Sequence, residues 1–509
     1  MKLALTSEQM AALERAADQT GTPASVLMEN AGTALADEAA RWAAPAGHFA
    51  VLCGQGNNGG DGLVAARKLV RARRNVTVEV VGGLDRLKGD PLRNLGLLRA
   101  AGVSPADAST QPAMGTGDVV IDALFGTGLN RAPQGDHAEA INRIARWRAG
   151  GAAVVSADVP SGLNSNTGQA FTPCVRADAT VTFGELKLGQ VLEPGASLCG
   201  RLKQVAIGLP DPKAVQIPGP MAFLLEESDA RERVPVRNAD SHKGTYGHVL
   251  VVAGSWGKAG AAALSGLGAL RAGAGLVSIA TRPEVVPTIL SRASELMTIS
   301  LGSEGPLGAQ DLDLLSKASD GKDAIVVGPG IPVGSGTRAV LTAFLKSTDT
   351  PCLVDADGLN AFAGDLEALR GAKAPLILTP HPGEMARLLG TSTAEVQRDR
   401  IAAVRALAAS TEAVAVLKGA RTLIALEDAT VYVNPTGNPG MSTAGTGDVL
   451  SGICGGLVGQ GLSTIDAAIC GVFAHGLAGD LIASRTGLAG LIASDLLEGL
   501  QAVWVRWHR

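Results

Sequence analysis

A basic excess is what this 509-residue chain most plainly lacks. Lys and Arg total 44 against 48 Asp and Glu, the formal net charge is −4, and no basic run exceeds a few residues. Nucleic acid is therefore not an expected partner. Cysteine is sparse: Cys53, Cys174, Cys199, Cys352, Cys454 and Cys470 are scattered, with no CxxC and no His at zinc-ligand spacing. That excludes a disulfide framework and suits buried thiols in a reducing compartment. The N-terminus reaches Glu8 and Glu14 before any apolar core of a signal peptide can form. The most apolar stretch, Ala467 to Gly479, carries His475 between Asp466 and Asp480 and is too short to span a bilayer. No membrane partner is expected, and the setting expected is cytoplasmic. Short repeats and low-complexity segments are absent as well. Tyrosine is down to 2 residues, while 66 Gly and a hydrophobic content of 46% fit Gly-turn-rich α/β domains with Ala/Val/Leu cores.

The length is too great for one hydrophobic core, so two or more domains are expected. Thr6 and Gln9 form a capping box ahead of a first helix, and Thr22-Pro23 opens a second that runs to about Trp42. Strands then alternate with amphipathic segments: Phe49–Cys53, Val76–Val81, Val119–Phe125, Ala153–Val159 and Ala179–Phe183, with helices near 61–73, 91–101 and 136–148. Such alternation implies a mostly parallel sheet between helices. Residues 210–221 hold four prolines and no periodicity, which reads as a linker. Beyond it the alternation restarts, with strands at His248–Ala253, Leu276–Thr281, Ala324–Gly328, Cys352–Asp355, Leu376–Thr379 and Val414–Leu417. A hairpin-like pair at Thr422–Leu426 and Thr430–Val433 precedes helices near 448–459, 465–484 and 494–505. The helix at 465–484 reads as core, and Trp256 and Trp504 as packing residues.

The first chemical signal is Gly54-Gln55-Gly56-Asn57-Asn58-Gly59-Gly60-Asp61-Gly62, between a strand and a helix. Its opening satisfies GxGxxG, and Glu79 lies twenty residues past Gly59, so an ordinary dinucleotide site is one reading. Asp61, placed in the first helical turn, counts against it by setting an anion where a pyrophosphate needs bare N–H groups. Asp122-Ala-Leu-Phe-Gly-Thr-Gly-Leu-Asn-Arg131 and Asp158-Val-Pro-Ser-Gly-Leu163 end two further strands. Loops at the carboxyl ends of parallel strands converge on one crevice. A lone acid is more often a cap, but here acids recur in loops of one character.

The second signal runs from Asn438 to Gly452 as NPGMSTAGTGDVLSG. Small residues 444–447 let backbone N–H groups gather at a helix N-terminus as a nest for a phosphoryl group. Asp448 follows, placed to take a proton from a hydroxyl beside it.

The first set of motifs, with the Gly184-Glu-Leu-Lys-Leu-Gly189 tail, resembles the YjeF N-terminal family of NAD(P)H-hydrate epimerases over about residues 1–210. The resemblance implies that Asn57, Asn58, Gly59, Gly60 and Asp61, with Gly126, Thr127, Gly128, Leu129, Asn130, Arg131 and Ala132, line the hydrate NADHX or NADPHX. It implies hydrate contact for Asp158, here taken as the acid/base residue, and potassium held by Asn58, Asp122 and Ser161. G-x-G-D before a helix resembles the ribokinase-like superfamily. Ser241-His-Lys-Gly-Thr-Tyr-Gly247, Gly328-Pro-Gly330, Val354–Asn360, Thr379–Glu384 and Leu417–Thr422 narrow this to the YjeF C-terminal family over about residues 222–509. These are ADP- or ATP-dependent (S)-NAD(P)H-hydrate dehydratases. The resemblance implies ADP on Lys418, Gly419, Ala420, Arg421 and Thr422, and on Asn438, Gly440, Met441, Ser442, Thr443, Ala444, Gly445, Thr446 and Gly447. It implies hydrate on Ala253, Gly330, His381 and Asp448, with Asp448 as catalytic base; Mg2+ on the phosphates is what such chemistry usually uses.

The expected chain is thus an epimerase domain at 1–215, Rossmann-like, and a dehydratase domain at 222–509, ribokinase-like. The expected partners are small molecules, and a homo-oligomer is compatible with the sequence. A ribokinase-like small-molecule kinase joined to a non-catalytic nucleotide-binding domain is the alternative.

Overall fold

The computed structural model describes residues 1–106, 112–302 and 304–507. Two compact units divide the chain: Leu3–Met221, and Ala222–Arg509 together with Met1–Lys2.

In the first unit the strands are β1 (Lys2–Leu5), β2 (His48–Cys53), β3 (Asn75–Val80), β4 (Val119–Ala123), β5 (Ala153–Ala157), β6 (Ala179–Phe183), β7 (Leu186–Lys187) and β8 (Arg201–Val205). Its longer helices are α1 (Ser7–Gln19), α2 (Ala24–Trp42), α3 (Asn57–Arg71), α4 (Gly89–Ala100) and α5 (Gly135–Ala149). Six strands form an all-parallel sheet in the order β3-β2-β4-β5-β6-β8, and β1 pairs separately with β7. Strands β4, β5 and β6 are almost wholly buried, as expected where helices cover both faces. Leu63, Leu69 and Leu35 pack on one face of the sheet, Ile141, Ile144 and Trp147 on the other.

Thr6 and Gln9 do form the capping box of α1. Helix α2 starts one residue later than the sequence suggests, with Pro23 and not Thr22 at the cap. Residues 210–221 are not a bare linker. Leu209, Val215, Ile217 and Met221 pack against Leu5, Met10 and Leu13, and the Gln9 amide donates to Pro218 O at 2.8 Å. Four prolines remove periodicity without removing apolar side chains, so the segment is held by α1.

The second unit contains β9 (Ala222–Leu224), β10 (His248–Val252), β11 (Leu276–Thr281), β12 (Met297–Ser300), β13 (Ala324–Val327), β14 (Cys352–Val354), β15 (Leu376–Leu378), β16 (Val414–Leu417), β17 (Leu423–Ala425) and β18 (Val431–Val433). Their order is β12-β11-β10-β13-β14-β15-β16-β17-β18-β9, parallel except for the antiparallel pairs β16–β17 and β17–β18. Helix Thr446–Gly459 packs on Ala259–Ala272 so closely that a Cβ on Gly452 would stand 2.0 Å from Ser265 O. Helix Thr464–Thr486 is longer than the apolar stretch read from sequence, and by length and composition alone it could cross a membrane. Its most apolar window is 67% buried within the protein, where Ile469, Val472 and Phe473 join the core. Trp504 packs as expected, its indole N–H donating to Arg271 O at 2.7 Å. Trp256 does not: it is 81% exposed, on a loop between β10 and the next helix. The six cysteines are free, five buried and Cys174 half-buried.

Candidate functional site

The carboxyl ends of β2, β4, β5 and β6 open onto a cavity of about 1090 Å³ in the first unit. Asn57, Asn58, Asp61, the whole run Gly126–Ala132 and Asp158 line it. The strand-end argument thus brings three separate loops to one crevice. Gly59 and Gly60 belong to α3 but are not among the lining residues.

Helix α3 begins at Asn57, four residues before the position read from sequence. Asp61 therefore lies a full turn inside the helix, not at the dipole's positive end. The glycines that disguise the start are steric necessities. A Cβ at Gly59 would stand 1.9 Å from Gly54 O, and one at Gly62 would stand 2.6 Å from the Ala123 side chain. Close approach is needed as glycine density implies, but here the chain approaches itself. Asp61 is buried, and burial, then the charges of Asp158 and Glu14, push its carboxyl well above the usual range.

Asp158 leaves β5 in the left-handed region at φ 59, a conformation Asp tolerates better than most residues. Its Oδ1 accepts from Phe183 N at 3.1 Å and from the Lys187 ammonium, while the Gln190 amide donates to its backbone O at 2.6 Å. Lys187 is only 1% exposed and donates also to Phe183 O at 2.7 Å. Asp158 Oδ2 has no hydrogen-bond partner among the described residues, and both Asp158 and Lys187 line the cavity. Lys187 was missed as a site residue. The sequence shows it only as part of the Gly184–Gly189 tail, and nothing in linear spacing brings it to Asp158.

Asp122 is fully buried without a cationic partner among the described residues. Ser161 Oγ and Ser156 Oγ donate to it at 2.5 and 2.8 Å, and Ser161 N at 2.9 Å. Burial raises its carboxyl in spite of these donors. The Asn58 amide donates to Phe125 O at 2.9 Å, and Phe125 N donates to Ser161 Oγ at 2.9 Å. Asn58, Asp122 and Ser161 are thus one network. Glu79, the candidate ribose acid of an ordinary dinucleotide site, is buried in an ion pair with Arg143.

In the second unit Gly445 caps helix Thr446–Gly459 at φ 91, and Asp448 is its third residue. Ser265 Oγ donates to Asp448 O at 2.9 Å. The Asp448 carboxyl is pushed up to about 7, chiefly by burial, then by the charges of Asp355, Asp357 and Glu384, with Lys418 opposing. Lys418 donates to Asp355 Oδ1 at 2.6 Å and Ser451 Oγ to Asp355 Oδ2 at 2.6 Å. A Cβ on Gly447 would lie 3.4 Å from Lys418 Nζ, so the 418 loop and the nest adjoin. The sequence shows Asp355 only as part of the Val354–Asn360 motif, and its place under Lys418 comes from the adjacency of β14, β15 and β16.

Asn438 and Met441 reach helix Thr464–Thr486: the Asn438 amide donates to Asp480 Oδ1 at 2.8 Å. Met441 packs against Gly479. His475, on that helix, hydrogen-bonds Thr446 O at 2.9 Å, and burial lowers it to about 4, so it is neutral. Ala253 is buried at the end of β10, and Ser255 Oγ donates to Gly330 O at 2.8 Å, joining those two loops. His381 caps helix Pro382–Leu389, its Nδ1 accepting from Gly383 N at 3.0 Å. Among the described residues no three His, Cys, Asp or Glu side chains are grouped to hold a metal.

Comparison with known proteins sets this geometry among relatives. Residues 24–189 match the family described as YjeF-related protein N-terminus, and residues 249–502 match NAD(P)H-hydrate dehydratase. The bifunctional NAD(P)H-hydrate repair enzyme of Moorella thermoacetica is 42% identical over 98% of this chain and 96% of its own length. The chain belongs to the bifunctional NAD(P)H-hydrate repair enzymes. The Escherichia coli repair enzyme is 37% identical over 96% of this chain and 91% of its own. The ADP/ATP-dependent NAD(P)H-hydrate dehydratase of Bacillus subtilis, co-crystallized with ATP/Mg2+, superposes with a TM-score of 0.51 at 33% identity. It covers 56% of this chain and 99% of that one. The repair enzyme's two halves are accordingly Rossmann-like and ribokinase-like, and the kinase alternative gives way to repair.

Proposed function

We propose that residues 1–215 interconvert the R and S forms of NADHX and NADPHX, and that residues 222–509 return the S form to NADH or NADPH. In the second step ADP becomes AMP and phosphate. The observation that carries the epimerase reading is the pairing of two acids in one cavity, Asp61 with its raised carboxyl and Asp158 held by Lys187. Acids kept in contrasting surroundings divide acid and base work between them. Asp61 delivers a proton to the carbinol oxygen, the C–O bond breaks as the ring-nitrogen lone pair moves in, and water leaves. Return of water to the other face, with its proton passing to the Asp61 carboxylate, completes the inversion and restores the acid.

Potassium fits the Asn58–Asp122–Ser161 network on its chemistry. The donors are oxygens, and a buried carboxylate there lacks a countercharge. Bound potassium would supply that charge and fix the Phe125–Gly126 turn.

In the dehydratase Asp448 takes the proton of the hydrate hydroxyl as its oxygen attacks the terminal phosphoryl of the nucleotide. AMP leaves, the nest at 444–447 absorbs charge, and Lys418, aimed by Asp355 and Ser451, neutralises it. The ester's C–O bond then breaks, phosphate leaving with the electron pair and taking up the proton lost by the neighbouring carbon, which restores the dihydropyridine. Magnesium would enter with the phosphates and draw off their charge; Asp355, Asp357 and Glu384 set the acidic field that would receive it. Hydrate contacts at Ala253, Gly330 and His381, and nucleotide contacts at 418–422 and 438–447, belong to the same proposal, as does a cytoplasmic setting.

Incubating the chain with racemic NADHX and ADP tests the proposal. NADH absorbance should rise to full conversion, with AMP and phosphate formed in equal amount. A stable phosphorylated product without NADH would overturn it.

A further inference from the structure

Of the charges lining the first unit's cavity, Asp61, Asp158, Glu14 and Lys187 act on one another, Asp18 lies on the same helix α1 as Glu14, and Arg86 acts on His137. Arg86 ends the short turn Leu84–Arg86 after β3, and Arg131 lies in the loop between β4 and α5. Neither guanidinium has an anionic partner among the described residues. Burial lowers His137, against the charge of Asp136 and with a smaller push from Arg86. In the sheet order β3-β2-β4-β5, Arg86 and Asp158 follow strands three steps apart, about 14 Å at the usual strand spacing. The acid that would read a ribose hydroxyl at the end of β3, Glu79, is spent on Arg143. In a βαβ unit a cation at this place suits a phosphate instead.

We propose that Arg86, with Arg131, forms a phosphate-reading end of the epimerase cavity and engages a phosphate of the hydrate's adenosine half. The inference rests on the epimerase reading above. The phosphate is either the pyrophosphate shared by both hydrates or the 2′-phosphate of NADPHX.

The test is Arg86→Gln in the full chain, assayed for epimerisation of each hydrate. Loss of one charged hydrogen bond should raise KM about tenfold with kcat kept. A rise for NADPHX alone assigns the 2′-phosphate, and a rise for both assigns the pyrophosphate. Unchanged KM for both, or a fall in kcat alone, overturns the site. Dehydration of pure S hydrate should be unaffected, and an unchanged circular dichroism spectrum and thermal unfolding of the first unit report intact folding. Equilibrium binding of NADP and NAD to both proteins separates the two readings. A chain that never epimerises, yet binds NADP about tenfold more weakly as Arg86→Gln, defeats the epimerase reading and keeps the phosphate site. Equal affinities defeat the site.

Discussion

In the proposed reaction Asp448 is the general base, and its carboxyl, pushed up to about 7 in the first turn of helix Thr446–Gly459, suits that role. Asp448→Asn should cut dehydration ~10²-fold or more while leaving nucleotide binding measurable; unchanged turnover would remove it from the mechanism. Because the base works deprotonated, dehydration should climb with pH through about 7. Asp357 contributes to the raised value, so Asp357→Asn should move that limb to lower pH in a pH–rate profile. A limb that stays in place or moves up would show that another group titrates. In the first unit, Asp158→Asn should slow epimerisation and spare dehydration of pure S hydrate. Both rates falling in a folded protein would contradict two separate sites. Asp448 and Asp158 stand out in the sequence because each sits inside a dense local motif. Lys187 and Asp355 do not, since their importance lies in contacts across 29 and 63 residues of chain.

Among the elements, α3 shows where pattern reading slips. Glycines weaken a helix by propensity, so Asn57–Gly60 reads as loop; contacts with Gly54 and Met28 overrule this. Gly62→Ala should destabilise the first unit by ~1–3 kcal/mol, because its methyl would meet Ala123 and Cys53 at 2.6 and 2.8 Å. Thermal unfolding would check this, and an unshifted Tm would mean the β2–α3 packing yields freely. The strands were easier to read than the helix starts. Runs such as Val119–Ala123 are apolar enough to name themselves, whereas 210–221 hid its packing behind prolines.

For the whole molecule, the division of labour makes a kinetic forecast. A fragment of residues 222–509 should fold, because its sheet and helices have their own core. On racemic hydrate it should give a fast phase and then stall at the slow spontaneous epimerisation rate. Adding residues 1–215 should restore full conversion, as NADH absorbance would record. Rapid complete conversion by the fragment alone would refute the division.

The placing of the cysteines bears on how this catalyst ages. Only Cys174 is less than fully buried, and burial holds its thiol up at about 12, so little thiolate exists for an oxidant to attack. Nothing in either proposed reaction draws on sulfur. Peroxide that damages nicotinamide pools should therefore leave the folded enzyme working, its six thiols appearing to a colorimetric reagent only after denaturation.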